Sequence, residues 1–295
     1  MSIRTIIDEI ENTESLKSLV ETYEIIAANS MRRIRKLVLE NRAFHLGLHR
    51  IHQEVKGAYE GVLLSAGRKR SQGRQPSLVK KNRKAAYVLL STNTGLYGEI
   101  IYKTFALFME KVRSEKPDEV VIVGKMGQPL FQAAEAHRHY TYFDFPDNKI
   151  DVESLKGITK HLTEYQKVVV FHGVFKNFLS QLPVDSHISG ETLPSVGEEK
   201  VGVRYIFEPA LEAVALFFET EIFASLLEQS FQESRLAKLA SRMMFLDRSS
   251  QAVDSFLNKI IFQKQKFQHR VFNIKQLDAV RGVMASNYAM PGSEN

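Results

Sequence analysis

The chain has 295 residues, of which 44% are apolar, 25% charged and 10% aromatic, a balance that excludes wholesale disorder and collagen-like structure. It contains no cysteine, which removes disulfides, thiolate nucleophiles, iron–sulfur clusters and cysteine zinc sites together. No run of about 18 uninterrupted apolar residues occurs, and the opening MSIRTIIDEIENTESLK lacks an apolar signal core, so a soluble protein of a cytosol-like compartment is expected.

Residues 1–66 read as a helical arm. Neither proline nor glycine occurs from Met1 to Leu46, and either would weaken a helix interior. The apolar sites Leu16, Val20, Tyr23, Ala27, Ile34, Leu37, Phe44, Leu48, Ile51 and Val55 follow steps of about 3.5 residues, the coiled-coil period. The sharpest charged feature on this arm is Met31-Arg32-Arg33-Ile34-Arg35-Lys36. Its setting is neutral, nine basic residues against nine acidic ones from Met1 to Ala66, which favours local contact with a protein over a DNA-gripping face. His45, His49 and His52 share one helix face at a spacing that zinc accepts, but no acid completes an H-E-x-x-H pattern. A surface or seam-edge histidine row is the preferred reading there.

Residues 67–84 form a basic linker. Arg68, Lys69, Arg70, Arg74, Lys80, Lys81, Arg83 and Lys84 are its eight cations; without them the net charge of +6 becomes −2. The basicity therefore belongs to one segment, read as a solvated connector or as a polyanion-binding loop.

Residues 85–207 alternate strand and helix signals. Ala85–Ser91, Glu119–Val123, Lys167–His172 and Val201–Phe207 read as strands, and Leu96–Arg113, Gln128–Ala136 and Val152–Tyr165 as helices. Short apolar strands alternating with helices argue for a mostly parallel sheet covered by helices, a Rossmann-like α/β domain. The strand-to-helix turn Ser91-Thr-Asn-Thr-Gly95-Leu96-Tyr-Gly98 has the hydroxyls and glycines of an anion site or, more commonly, of a helix cap. Val123-Gly124-Lys125-Met126-Gly127 lacks both the phosphate-loop and the dinucleotide patterns. With no G-x-S-x-G elbow and no paired carboxylates, no catalytic residue, cofactor or metal site is expected.

Residues 208–288 form the second arm, again free of proline and glycine from Ala210 to Arg281, and 289–295 a tail. Steps of four and three from Leu239 reach Met243, Leu246, Ser250, Val253, Leu257, Ile260, Lys264, Phe267, Val271, Ile274 and Asp278. The two arms are expected to pair as an antiparallel coiled coil. At 1.5 Å per residue they reach roughly 90 Å and 110–120 Å, too long for a compact globule, so a rod with a globular knob is expected.

These residues resemble the gamma subunit of F-type ATP synthases. The family's I-T-x-A-M-x-M-V-A-A-x-K-M-R-R helix is similar to Leu19–Arg33, its S-D-x-G-L-C-G turn to Ser91–Gly98 with Tyr97 for the cysteine, and its G-x-x-G to Gly124–Gly127. Its Y-x-x-E-P is similar to Tyr205–Pro209, and its A-x-x-x-A-R-M loosely to Ala237–Met243. The resemblance covers essentially the whole chain in the family's order. It implies a non-catalytic rotor shaft inside the hexamer of alpha and beta subunits, with the α/β domain near the epsilon subunit and the c-ring. It also implies association with the membrane through that complex, at the cytoplasmic face of the plasma membrane. On it, Met31, Arg32, Arg33, Arg35 and Lys36, with Gln268, His269 and Arg270, are candidate contacts to the hexamer.

Departures accompany the likeness. The acid of the S-D turn is lost, and the family's A-R-Q-A-x-I-T segment falls on Phe267–Asn273 with Gln268 in the arginine position. A gamma-like scaffold in a non-rotary assembly is the alternative, and nucleic-acid binding through Arg68–Lys84 a third reading, disfavoured here.

Overall fold

The computed structural model describes residues 3–65, 82–189 and 211–288. Helix α1 spans Ile3–Ser65 and helix α5 spans Leu211–Tyr288. Between them lie β1 (Asn82–Leu90), α2 (Ile100–Glu115), β2 (Glu119–Val123), α3 (Gly127–Ala134), β3 (Thr141–Phe143), α4 (Val152–Leu162), β4 (Tyr165–Phe175) and β5 (Gln181–His187). The described residues divide into two compact units, one of residues 26–245 and one of residues 1–25 with 246–295.

In the larger unit the strands form one sheet ordered β3-β2-β1-β4-β5, parallel except for β5, which runs antiparallel to β4. Period-two alternation sorts the strand residues onto two cores. Ala86, Val88, Leu90, Val121, Val123, Val168 and Val170 face Ile158 and Leu162 of α4 and Phe223, Leu227 and Phe231 of α5. Tyr87, Leu89, Val120, Ile122, Val169 and Phe171 face Phe108, Met109 and Val112 of α2 and Phe131 of α3. Burial on both faces explains why these strands read as unbroken apolar runs.

The sequence-based expectations fail at the sheet's edges. β3 has three residues and β5 is the half-polar QLPVDSH, whose proline suits an edge strand. α4 stops at Leu162, so β4 starts at Tyr165 rather than Lys167. The strand read at Val201–Phe207 and the tail lie outside the described residues, as does the basic linker read at 67–84 except for Asn82, Arg83 and Lys84, which open β1 instead.

In this unit α1 also packs on α5. Met31, Ile34 and Val38 form a cluster with Leu236, Ala237, Leu239, Ala240 and Phe175. Arg42 forks onto Glu233, its Nη2 2.7 Å from Oε2, and the same Nη2 donates to the Phe175 carbonyl at 3.2 Å. Glu233 is 5% exposed, and its hydrogen bond raises the arginine pKa.

In the smaller unit Ile6 and Ile10 pack with Ile260, flanked by Leu257, Ile261 and Phe267. Lys17 Nζ lies 2.6 Å from Asp254 Oδ1. In each unit ascending α1 numbers meet descending α5 numbers, the antiparallel pairing expected of the arms. The second-arm register holds from Leu239 through Val271, all at least half-buried, whereas Ile274 is exposed.

The first-arm register is half wrong. Val20, Ala27 and Ile34 do lie on the packed face, but Leu16, Tyr23, Leu37, Phe44 and Ile51 are exposed. The packed stripe instead steps through Ile6, Ile10, Thr13, Lys17, Val20, Glu24, Ala27, Met31, Ile34 and Val38. It tolerates polar positions because Lys17 ends on a partner carboxylate.

Candidate functional site

The turn after β1 is the most densely tied loop among the described residues. Ser91 N–H donates to the Val123 carbonyl at 2.8 Å, prolonging the β1–β2 ladder. Asn93 N–H and Thr94 N–H donate to Asp147 at 3.0 and 2.9 Å, and the Thr94 hydroxyl donates to it at 2.8 Å. The amides that might have held an anion are thus filled by a carboxylate of the chain itself. The hydroxyls do not cap α2: its N-terminal flanking residue is Glu99, without a side-chain cap. The acid missing from the turn's own sequence arrives from another loop.

The Gly124–Gly127 segment is pinned to the same turn. Met126 N–H donates to the Thr92 carbonyl at 2.8 Å, and Lys125 N–H to Asn93 Oδ1 at 2.9 Å. Gly124 has φ +95°, and a Cβ there would stand 2.8 Å from Thr92 N. Only glycine meets both demands.

Helix α5 closes the arrangement. Lys238 donates to the Ser91 carbonyl, Arg235 to the Asn148 carbonyl, and the Arg242 guanidinium lies 5.0 Å from the Tyr97 ring centre. Gly98, at φ +63°, backs onto Ser241. Gly173 of β4 faces Ile100 of α2 and Ala237 of α5, 2.8 and 3.1 Å from where its Cβ would be. The crossover from β3 returns to the far side of β1, so the β1–β4 boundary is the switch point at which doubly wound sheets bind ligands. Here α5 and α2 occupy that crevice.

Burial sets the electrostatics. Lys238 is half-buried as a residue, yet enclosure of its ammonium lowers its pKa to about 8. His172, 2% exposed and 2.8 Å from Ser186 Oγ through Nε2, is pushed down to about 4 by burial. Burial likewise raises the Tyr97 phenol and lowers Arg235.

Three stretches singled out in the sequence therefore meet: Ser91–Gly98, Gly124–Gly127 and Ala237–Met243. Within the turn, Ser91 is buried and Gly98 half-buried, Gly95 borders open space, and Leu96 is exposed at φ +67°. The basic cluster splits. Met31 is 2% exposed and belongs to the core, while Arg32, Arg33, Arg35 and Lys36 are exposed. Gln268, His269 and Arg270 are exposed in the smaller unit. The side chains of His45, His49 and His52 lie outside the described residues, among which no His, Asp and Glu group could hold a metal. Sequence reasoning missed Asp147, Lys238 and the Arg42–Glu233 pair, none of which sits in a local pattern that would mark it.

The family model described as ATP synthase matches residues 2–269. The chain belongs to the ATP synthase family, and within it to the gamma chains, as a divergent member. The ATP synthase gamma chain of Desulforamulus reducens is 23% identical, covering 96% of this chain and 99% of its own. That of Pelotomaculum thermopropionicum is 20% identical with the same coverage. Among solved structures, a chain of the central stalk and c-ring of the Tetrahymena thermophila mitochondrial ATP synthase superposes with TM-score 0.55 at 14% identity. It covers 79% of this chain and 99% of its own.

Proposed function

We propose that this chain is the central-stalk rotor subunit of a divergent F-type ATP synthase or ATPase. It holds no catalytic group of its own and couples rotation of the c-ring, and the ion flow behind it, to nucleotide chemistry in the alpha–beta hexamer. The observation that carries the reading is the plugged crevice: where such a sheet would hold a nucleotide, Ala237 and Lys238 of α5 stand instead. A domain so filled serves its attached helices rather than a substrate.

The far end of α5 supports a partner that encloses it. Phe272, Ile274, Leu277, Val280 and Val283 are 51–62% exposed, an apolar helix surface that a solvent-facing shaft would not keep. Exposure of Arg32, Arg33, Arg35 and Lys36, and of Gln268, His269 and Arg270, supports their assignment as contacts to the hexamer, whereas Met31 acts through the core. The chain would attach peripherally, through the epsilon subunit and c-ring, at the cytoplasmic face of the plasma membrane; no described helix is long and apolar enough to cross one.

Native isolation of the tagged chain tests this. A complex with three alpha, three beta and one copy of this chain, and with ATPase activity, is expected; recovery without nucleotide-binding subunits would refute the rotor. Arg32→Glu with Arg33→Glu should weaken assembly with the hexamer, and unchanged assembly would remove these two from the contact.

A further inference from the structure

Between the β1 turn and α5 lies a cavity of about 30 Å³, enough to admit at least one water-sized occupant. Its polar lining is Ser91, Tyr97, Asp147, Ser234, Arg235 and Lys238. Ser91 and Ser234 are 6% and 2% exposed, and neither hydroxyl has a hydrogen-bond partner. Arg235 Nε is buried and equally without one.

The charges do not balance inside the chain. Arg235 and Lys238 bond to the backbone carbonyls of Asn148 and Ser91, neither of which carries a countercharge. One carboxylate, Asp147, faces them, and the amides of Asn93 and Thr94 and the Thr94 hydroxyl already engage it. His172, the neighbour on β4 that bears on Lys238, is held neutral by burial. Two cations against one anion leave the cavity lining with a single excess positive charge beside two buried hydroxyls and a buried guanidinium nitrogen that lack partners, an arrangement that an anion would relieve.

We propose that this cavity binds one small monovalent anion of halide size. The Arg235 Nε–H, the Lys238 ammonium and the hydroxyls of Ser91 and Ser234 would donate to it as charge-assisted hydrogen bonds. One negative charge closes the balance, and a cavity with room for a water-sized occupant admits a halide. Because the donors come from the β1 turn and from α5, occupancy would fasten the helix to the sheet.

Thermal unfolding of the purified full-length chain tests this, with chloride replacing gluconate at constant ionic strength. A saturable rise in midpoint of roughly 2–4 °C is expected, following single-site linkage. Ser234→Ala should shift the half-saturating chloride concentration upward by about tenfold. Arg235→Gln should abolish the rise. If Arg235→Gln does not fold, bromide-soaked crystals of the unaltered chain decide: an anomalous peak beside Arg235 Nε is expected. A water there without anomalous signal, or a salt effect that is non-saturable and identical in Ser234→Ala, overturns the proposal and leaves the rotor reading untouched.

Discussion

Gly98 lies so close to Ser241 that a Cβ on the glycine would stand 2.8 Å from the serine Oγ and 3.1 Å from its carbonyl oxygen. The contact joins the β1 turn to α5, and the glycine's φ of +63° adds a second constraint. Gly98→Ala is therefore expected to destabilise by about 1–3 kcal/mol in denaturant unfolding. Gly95, three residues earlier, has nothing within 4 Å of its Cβ position. Gly95→Ala should cost about 0.5 kcal/mol or less, and equal costs at the two sites would discredit the close approach.

The Arg42–Glu233 pair should behave as a buried charge held by a fork. Glu233→Gln removes the charge while keeping the shape: the amide oxygen can accept one bond from Arg42, but the amide nitrogen cannot accept the second. A loss of about 1–3 kcal/mol is expected from equilibrium unfolding. Arg42→Lys should not restore full stability, because an ammonium cannot span both carboxylate oxygens.

His172 makes the chain acid-sensitive. Its pKa falls from 6.5 in the open chain to about 4 when folded, so between these values the unfolded state binds the extra proton. The stability it lends is complete above pH 6.5 and is lost as pH drops toward 4, by about 3 kcal/mol at the limit. His172→Gln should flatten that part of the stability–pH curve; an unchanged slope would show that other groups carry it.

Lys238 acts at the opposite end of the scale. Its pKa drops from 10.5 to about 8 on folding, so the unfolded chain holds the proton more tightly between pH 8 and 10.5. Stability should rise with pH across that window as the enclosed cation is relieved of its charge. Lys238→Met should remove the rise, measured as the unfolding midpoint against pH.

The helix register offers a comparison of two apolar residues on one helix. Ile10 is 9% exposed against Ile260, and Ile10→Ala should cost about 2–4 kcal/mol. Leu16, at 51% exposure, should cost about 0.5 kcal/mol or less on replacement by alanine in the isolated chain. Similar costs would restore the register that runs through Leu16.

That contrast shows what the sequence could and could not yield. The α5 register was legible because nine of the twelve positions stepped from Leu239 are apolar, enough to carry the stripe past the exposed Phe245, Phe256 and Phe262. α1 carries apolar residues on two faces, and nothing local told which would meet α5. Thr13, Lys17 and Glu24 then disguised the packed stripe as a polar one. β1, β2 and β4 announced themselves through burial on both faces, whereas β5 is a half-polar edge strand containing Pro183. The motifs were visible singly, but their meeting around Ser91 was not, because the joints are made by Asp147 and Lys238. Neither has a local pattern to mark it; each matters through a partner at least 50 positions away.

An axial slip of about one turn keeps an apolar helix face toward its sheet, so a helix held by apolar burial alone is weakly fixed against sliding. The glycine seats at Gly98 and Gly173 and the Lys238 bond to the Ser91 carbonyl act instead as a key in a keyway. A slip of α5 by one residue would drive a side chain into a space sized for none. In a part that must hand on twist without losing any, this joint is where backlash is removed.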